Sequence, residues 1–316
     1  MERNNNNVKS SIILPECIES RIERIRFDNT SGALKLAEEA AKLLIFLVDN
    51  YSYSTKYKLI EVIERTAIEL TLAQPTMAPI FNLTNSIMLE TSKIKNEEKI
   101  KKIIRTHCIK YIDRLNNSIR LIGEQAANLI DNNFTIAVYS YSDTILKALI
   151  YSKEIGKSFH VICSESRPMN EGLNLAKRLG NQGIKTTLVV DSALINFLSG
   201  TDLIFVGADA LSQDGLVNKI GTLGLALAAE KFGIDFYTLC GTEKIFPNNY
   251  QLKIEKQKDP SEITKKILTN VNIINYYFDL TPLDLLTGII TEFGVKSPNK
   301  INQYMDNLKI HRSFIN

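Results

Sequence analysis

The chain has 316 residues, 44% hydrophobic and 23% charged, with a net charge of +3. That length and apolar content can build one or two packed cores and exclude a wholly disordered or collagen-like chain. A charge so near balance gives no support to direct nucleic-acid binding. The four cysteines (Cys17, Cys108, Cys163, Cys240) and three histidines (His107, His160, His311) are scattered without metal-ligand spacing.

In chain order, the opening MERNNNNVKSS has no apolar signal-peptide core, and an Asn-rich tip buries too little surface to order itself. Residues 1–12 are therefore expected to be a disordered tail. Residues 13–125 read as a helical domain. SGALKLAEEAAKLLIFLVDN, TKYKLIEVIERTAIELTLAQ, APIFNLTNSIMLETSKI and EEKIKKIIRTHCIKYIDRLNNSIRLIGEQAANLI are rich in helix formers and space their apolar residues at helical period. Pro75 ends the second of them. The basic run around Lys99–Lys110 is interrupted by Glu97, Glu98 and Asp113 and reads as a solvated helix face. The longest apolar run, AKLLIFLVDN, is too short to span a bilayer, so no membrane partner is expected. The expected location is cytoplasmic, with free thiols.

Residues 126–316 change character. FTIAVYS, SFHVICS, KTTLVVD, DLIFVGA and IDFYTLC are short, apolar and β-branched. They alternate with the amphipathic segments SDTILKALIYSKEIG, MNEGLNLAKRLGNQG, SALINFLSG and IGTLGLALAAEKFG. Strands apolar on both faces alternating with helices predict a doubly wound parallel sheet. Ligands of such sheets lie beyond the carboxyl ends of the strands, so the residues just after each strand are the candidates.

After the first strand stand Tyr139, Ser140, Tyr141, Ser142 and Asp143. Ser142 or Asp143 caps the next helix, and the same turn offers hydroxyls and backbone N–H groups to an anion. After the second, Arg167 offers a guanidinium fork to a phosphate, or else pairs with Glu165 or Glu171 for structure. Asp191 after the third is expected to cap a helix. After the fourth, Gly207 permits a tight turn and Asp209 supplies a carboxylate for acid–base work. Asn218 and Lys219 are placed at a helix start, Lys219 as a phosphate ligand or a surface charge. Cys240 ends the fifth strand as a core thiol. No cofactor and no metal are expected.

The segments ESRPMNEGLNLAKRLGNQGIKTTLVVDSA, DLIFVGADAL, DGLVNKIGTLGLALAAEKFGIDFY and TPLDLLTGIITEFGV together resemble one family. It comprises the alpha, beta and delta regulatory subunits of translation initiation factor 2B, and the isomerases acting on methylthioribose-1-phosphate and ribose-1,5-bisphosphate. The resemblance is clear over residues 120–296 and weaker back to about residue 29. It implies an N-terminal all-helical domain followed by a Rossmann-like doubly wound sheet, assembled as a homodimer or with related subunits. TPLDLLTGIITEFGV is expected to contribute a late helix near the dimer surface, and residues 297–316 a closing helix.

In the isomerases a cysteine after the first strand and an aspartate after the fourth carry the chemistry. The resemblance therefore makes Asp209 and Ser140 the catalytic positions and Tyr139, Ser142, Arg167, Asn218 and Lys219 ligand-binding ones. Ser140 replaces the cysteine, and an alcohol is a far weaker acid than a thiol. Ser31 and Gln74 stand where the isomerases carry phosphate-gripping arginines, and Gly241 where relatives often place an acid. Two functions follow. One is an initiation-factor-2B-like regulatory subunit that binds a phosphorylated sugar or nucleotide. The other is an aldose–ketose isomerase of a phosphorylated pentose with Asp209 as acid/base.

Overall fold

Five helices come first: α1 (Glu16–Phe27), α2 (Ala33–Asn50), α3 (Lys56–Ala73), α4 (Ala78–Thr91) and α5 (Glu97–Ala127). The computed structural model describes residues 13–28, 31–51, 56–94, 96–252 and 257–315, and the expected tail over residues 1–12 lies outside them. Asn96 starts α5 by accepting the Lys99 N–H at 2.8 Å, with Glu97 and Glu98 in the positive first turn. Ile100, Ile104, Cys108, Tyr111 and Leu115 recur every three or four residues and enter the helical core. The basic run is indeed a helix face, with Lys101 paired to Glu97 at 3.2 Å. Further along, Ile122 and Ala126 leave that core for a second one under the sheet. Gly123 permits the approach, since a Cβ there would lie 3.4 Å from the Ala148 Cα. One helix thus belongs to two cores and ties them together.

The second half supplies β1 (Phe134–Tyr139), α6 (Asp143–Glu154), β2 (Phe159–Ser164), α7 (Glu171–Asn181), β3 (Lys185–Val189) and β4 (Leu203–Val206). Then come β5 (Ala210–Ser212), β6 (Gly215–Lys219), α8 (Thr222–Phe232), β7 (Asp235–Leu239), β8 (Phe278–Thr281), β9 (Gly288–Thr291), β10 (Gly294–Lys296) and α9 (Pro298–Asn307). The main sheet runs β10-β9-β7-β4-β1-β2-β3, parallel except for β10. One face packs on α5, α6 and α7 through Ile122, Leu149 and Leu175. The other packs on α8, α9 and the 191–200 segment through Ala226, Met305 and Leu198. The chain winds outward in both directions from β1, so the crevice opens where β1 and β4 part.

A small antiparallel sheet, β5-β6-β8, sits beyond that crevice. Phe81 of α4 packs against Tyr250 with ring centroids 4.1 Å apart, and Phe246 stacks on Tyr250 at 4.7 Å. This aromatic cluster joins the helical region to the small sheet.

Four local expectations change. Asn218 and Lys219 lie in β6 rather than at a helix start, and α8 begins only after Gly221, whose φ of 105° breaks the strand. SALINFLSG is a 3-10 helix, Asp191–Gly200. Asp191 does not cap it; its carboxylate accepts the Ser166 and Arg167 N–H groups, each at 2.7 Å. TPLDLLTGIITEFGV forms no α-helix: a 3-10 turn, Leu283–Leu285, leads into a hairpin of β9 and β10, favoured by Ile289, Ile290 and Thr291 and turned at Gly294 (φ 92°). The closing helix over 297–316 is present as α9. The chain beyond it is held on the helical region, where Asn85 donates to the Lys309 carbonyl at 2.8 Å and accepts from the His311 N–H at 2.7 Å.

Candidate functional site

A cavity of about 1220 Å³ lies between the helical region and the carboxyl ends of β1 and β4. Ser140 and Ser142 form its floor on the β1 side, Gly207 and Asp209 on the β4 side. The two turns touch: a Cβ added to Gly207 would lie 3.1 Å from the Ser142 Cβ. Only a glycine lets β4 turn this close to the α6 cap, where Ser142 accepts the Ile145 N–H at 3.4 Å.

Ser140 has φ 67°, in the left-handed region. Its N–H donates to Ser166 Oγ at 3.0 Å, and its hydroxyl donates to Glu171 Oε1 at 3.0 Å. Lys219 Nζ reaches the same Oε1 at 2.6 Å. Glu171, in the first turn of α7, thus binds a serine from β1's end to a lysine from β6. Its other oxygen, Oε2, is buried without a hydrogen-bond partner. Asn218 donates to Thr222 Oγ1 at 3.0 Å, and the Asp209 N–H donates to the Val217 carbonyl at 2.9 Å, so both β6 and the Asp209 turn are fixed from below.

Five of the seven sequence-derived residues therefore line one cavity: Ser140, Ser142, Asp209, Asn218 and Lys219. Tyr139 lies beneath it. Its hydroxyl donates to the Ile220 carbonyl at 2.8 Å, Gly221 leaves room for that hydroxyl because a Cβ there would lie 2.3 Å from it, and burial pushes the phenol well above its ordinary pKa. Arg167 points away from the cavity. Asp191 fixes its backbone, and its guanidinium donates to the Ile263 carbonyl at 3.0 Å on the exposed side. Of the two sequence readings of Arg167, the structural one describes this geometry, with a carbonyl rather than a glutamate as partner.

Three wall residues escape a strand-end reading. Tyr277 holds the Lys219 and Lys258 ammonium groups 5.0 and 4.9 Å from its ring centroid, within cation–π range. Its hydroxyl donates to Glu262 at 2.5 Å. Lys244 enters from the 3-10 turn Thr242–Lys244 after β7. Glu171 itself was legible only as an acid near Arg167.

Two helix ends near the cavity are already occupied. Asp279 of β8 accepts the Gly221 N–H at 2.7 Å and the Leu223 N–H at 3.1 Å, filling the positive N-terminus of α8. Desolvation nevertheless raises its pKa, against the lowering by those backbone bonds. Gln74 donates to the Ile25, Arg26 and Asp28 carbonyls at 2.8, 3.4 and 3.3 Å, so its amide closes the C-terminus of α1. Ser31 lines the cavity beside it, its N–H bonded to Asp28 at 2.8 Å. Cys240 is buried, and burial drives its thiol far above the ordinary range, away from reactivity. No helix among the described residues is long and apolar enough to cross a membrane.

Known proteins share this fold. Residues 29–298 match the profile of the initiation factor 2 subunit family. A translation initiation factor eIF-2B subunit 2-like protein of Pyrococcus horikoshii is 31% identical over 288 residues, covering 90% of this chain and 98% of the relative. The ribose 1,5-bisphosphate isomerase of Archaeoglobus fulgidus is 32% identical over 281 residues, covering 87% and 88%. The crystal structure of the Pyrococcus horikoshii translation initiation factor eIF-2B superposes with a TM-score of 0.78 at 30% identity, over 91% of this chain and 99% of that one. With the profile spanning most of its length and both kinds of relative nearly equally similar, the chain belongs to the initiation factor 2 subunit family, which embraces eIF-2B-like subunits and sugar-phosphate isomerases.

Proposed function

We propose that this chain is an initiation-factor-2B-like regulatory subunit that holds a phosphorylated sugar or nucleotide in the cavity between β1 and β4 without converting it. One observation carries the reading: the Ser140 hydroxyl, at the position where the resemblance puts the isomerases' cysteine, is bound to Glu171, which is itself paired with Lys219. Moving a carbonyl between sugar carbons needs a group that gives and takes a proton near neutral pH. An alcohol does so only with an adjacent base, and Glu171 Oε1, the carboxylate oxygen that Ser140 reaches, is shared with Lys219. Anion binding does not need the thiol. The N-terminus of α6 at Ser142–Thr144 and the lysines of the wall offer donors to a phosphate. Assembly as a homodimer or with related subunits belongs to the same reading, and the subunit names of its relatives support it.

A second reading keeps one specific support. Asp209 lines the cavity as an acid/base for pentose isomerisation should. The two readings separate on incubating the purified protein with ribose 1,5-bisphosphate and methylthioribose-1-phosphate, following products by ³¹P NMR and binding by calorimetry. Binding without conversion is expected. Conversion that disappears in Asp209→Asn would overturn the regulatory reading.

A further inference from the structure

We propose that Met169 is a site of reversible oxidation by peroxides, and that its sulfoxide loosens the wall that Lys258 and Tyr277 build on the cavity. The inference goes beyond the binding function and needs no knowledge of the ligand. Met169 lines the cavity and is 45% exposed, whereas Met77, Met88 and Met305, at 9%, 3% and 0%, sit in packed cores. A peroxide arriving from solvent therefore meets this thioether before those three. The thiols deeper in the fold do not compete: burial pushes Cys108 up to about 12 and Cys163 to about 11, so neither holds reactive thiolate at neutral pH.

The turn that carries Met169 is stiff. Asp191 accepts the Ser166 and Arg167 N–H groups, and the Asn170 N–H donates to the Ser166 carbonyl at 2.9 Å. From this turn two side chains reach the segment 257–263. Arg167 donates to the Ile263 carbonyl at 3.0 Å. Met169 Sδ lies 3.4 Å from the Tyr277 hydroxyl, which donates to Glu262 Oε1 at 2.5 Å. Glu262 is the knot of the wall. Asn275 donates to its Oε2 at 2.8 Å and to the Asp259 carbonyl at 2.9 Å, and the Lys258 N–H donates to the Asn275 carbonyl at 2.9 Å. The Tyr277 ring in turn holds the Lys219 and Lys258 ammonium groups.

The step balances with the peroxide alone as oxidant. The Met169 sulfur attacks one peroxide oxygen, the O–O bond breaks, and the second oxygen leaves as water or an alcohol. Sulfur loses two electrons and the peroxide gains them. A thioether is a weak acceptor and leaves the phenolic proton to Glu262. The sulfoxide oxygen is a strong acceptor at the same place, and Tyr277 has one proton to give. Turned toward Met169, it leaves a Glu262 oxygen without its donor, and the Pro260–Glu262 turn and Lys258 lose their tie to the sheet.

The test compares the full-length wild type with Met169→Leu, which cannot form the sulfoxide, and Met169→Gln, which places an amide oxygen there without oxidant. After brief treatment with hydrogen peroxide, peptide mass spectrometry should find Met169 oxidised ahead of Met77, Met88 and Met305. Hydrogen exchange at the Lys258 and Ile263 amides should then quicken tenfold or more in the wild type, and in untreated Met169→Gln. Treated Met169→Leu should not change, and methionine sulfoxide reductase with a dithiol should restore the wild type. Oxidation of Met169 no faster than that of the buried methionines overturns the inference. So does unchanged exchange in the fully oxidised protein, or equal quickening in Met169→Leu. Calorimetric titration with ribose 5-phosphate separates the two readings. Binding that weakens only where Met169 is oxidised supports both, and binding that oxidation leaves unchanged overturns the inference alone. No binding before or after treatment, with exchange quickened as expected, counts against the proposed function and leaves the inference standing.

Discussion

Glu243→Gln should make the protein more stable at pH 8 and remove a pH dependence that the wild type possesses. Glu243 is 3% exposed, one of its oxygens has no hydrogen-bond partner, and its pKa is pushed from 4.5 up to about 7. Burial is the main cause, opposed by Lys244 and reinforced by Glu292, with Arg114 a smaller opposing charge. Below pH 4.5 the residue is protonated both folded and unfolded and has no pH-linked effect. As pH rises from 4.5 through about 7 the unfolded chain ionises first, the folded chain holds the extra proton, and stability falls. At roughly 1.4 kcal/mol per pH unit, the interval amounts to about 3 kcal/mol at pH 8. For a chain of this length that is about 4–5 °C in midpoint, using roughly 2 cal/mol/K per residue for the unfolding entropy. Calorimetric melts of both proteins at pH 5, 6, 7 and 8 isolate the contribution, because every other titrating group is common to both. Parallel pH profiles for the two proteins would refute the reasoning and show that Glu243 is solvated or paired in solution.

Two further substitutions test the frame around the site. Gly172→Ala would place a Cβ 1.8 Å from the Ser164 carbonyl oxygen, which neither backbone can yield, so a loss above about 3 kcal/mol is expected in chemical denaturation. Asn82→Ala leaves the Glu243 and Ile245 carbonyls without their donor at the joint between α4 and the 3-10 turn, and about 2 kcal/mol should be lost by the same measurement.

The helical region and five of the six parallel strands were legible because each announces itself over its own length. The α2 segment keeps nine buried positions at helical spacing, and β1, β2 and β4 are apolar on both faces. The small sheet was not. β5 has three residues and β6 five, and what makes them strands is pairing with each other and with β8, some sixty residues on. The β9–β10 hairpin was misread for a related reason: LDLLTGIITEF satisfies helical and strand spacing alike, and pairing of β9 with β7 decides. At the site, the strand-end rule pointed to Ser140, Ser142 and Asp209, which line one cavity. It could not give their partners. Ser140 and Glu171 are 31 residues apart, and Asp191 turns Arg167 outward from 24 residues away.

Those pairings bear on how the cavity recognises a ligand. A doubly wound fold offers anions the N-termini of the helices that follow its strands. Here α8's is filled by Asp279, and Lys219 beside it is matched by Glu171. Gln74 closes α1 with an uncharged amide where an arginine would have supplied a fixed positive fork. Other donors line the cavity at the α6 turn and on Lys147, Lys244 and Lys258. On the proposed reading, a serine at position 140 and an amide at position 74 would weaken proton transfer and phosphate grip together, so binding without conversion is the outcome that reading expects.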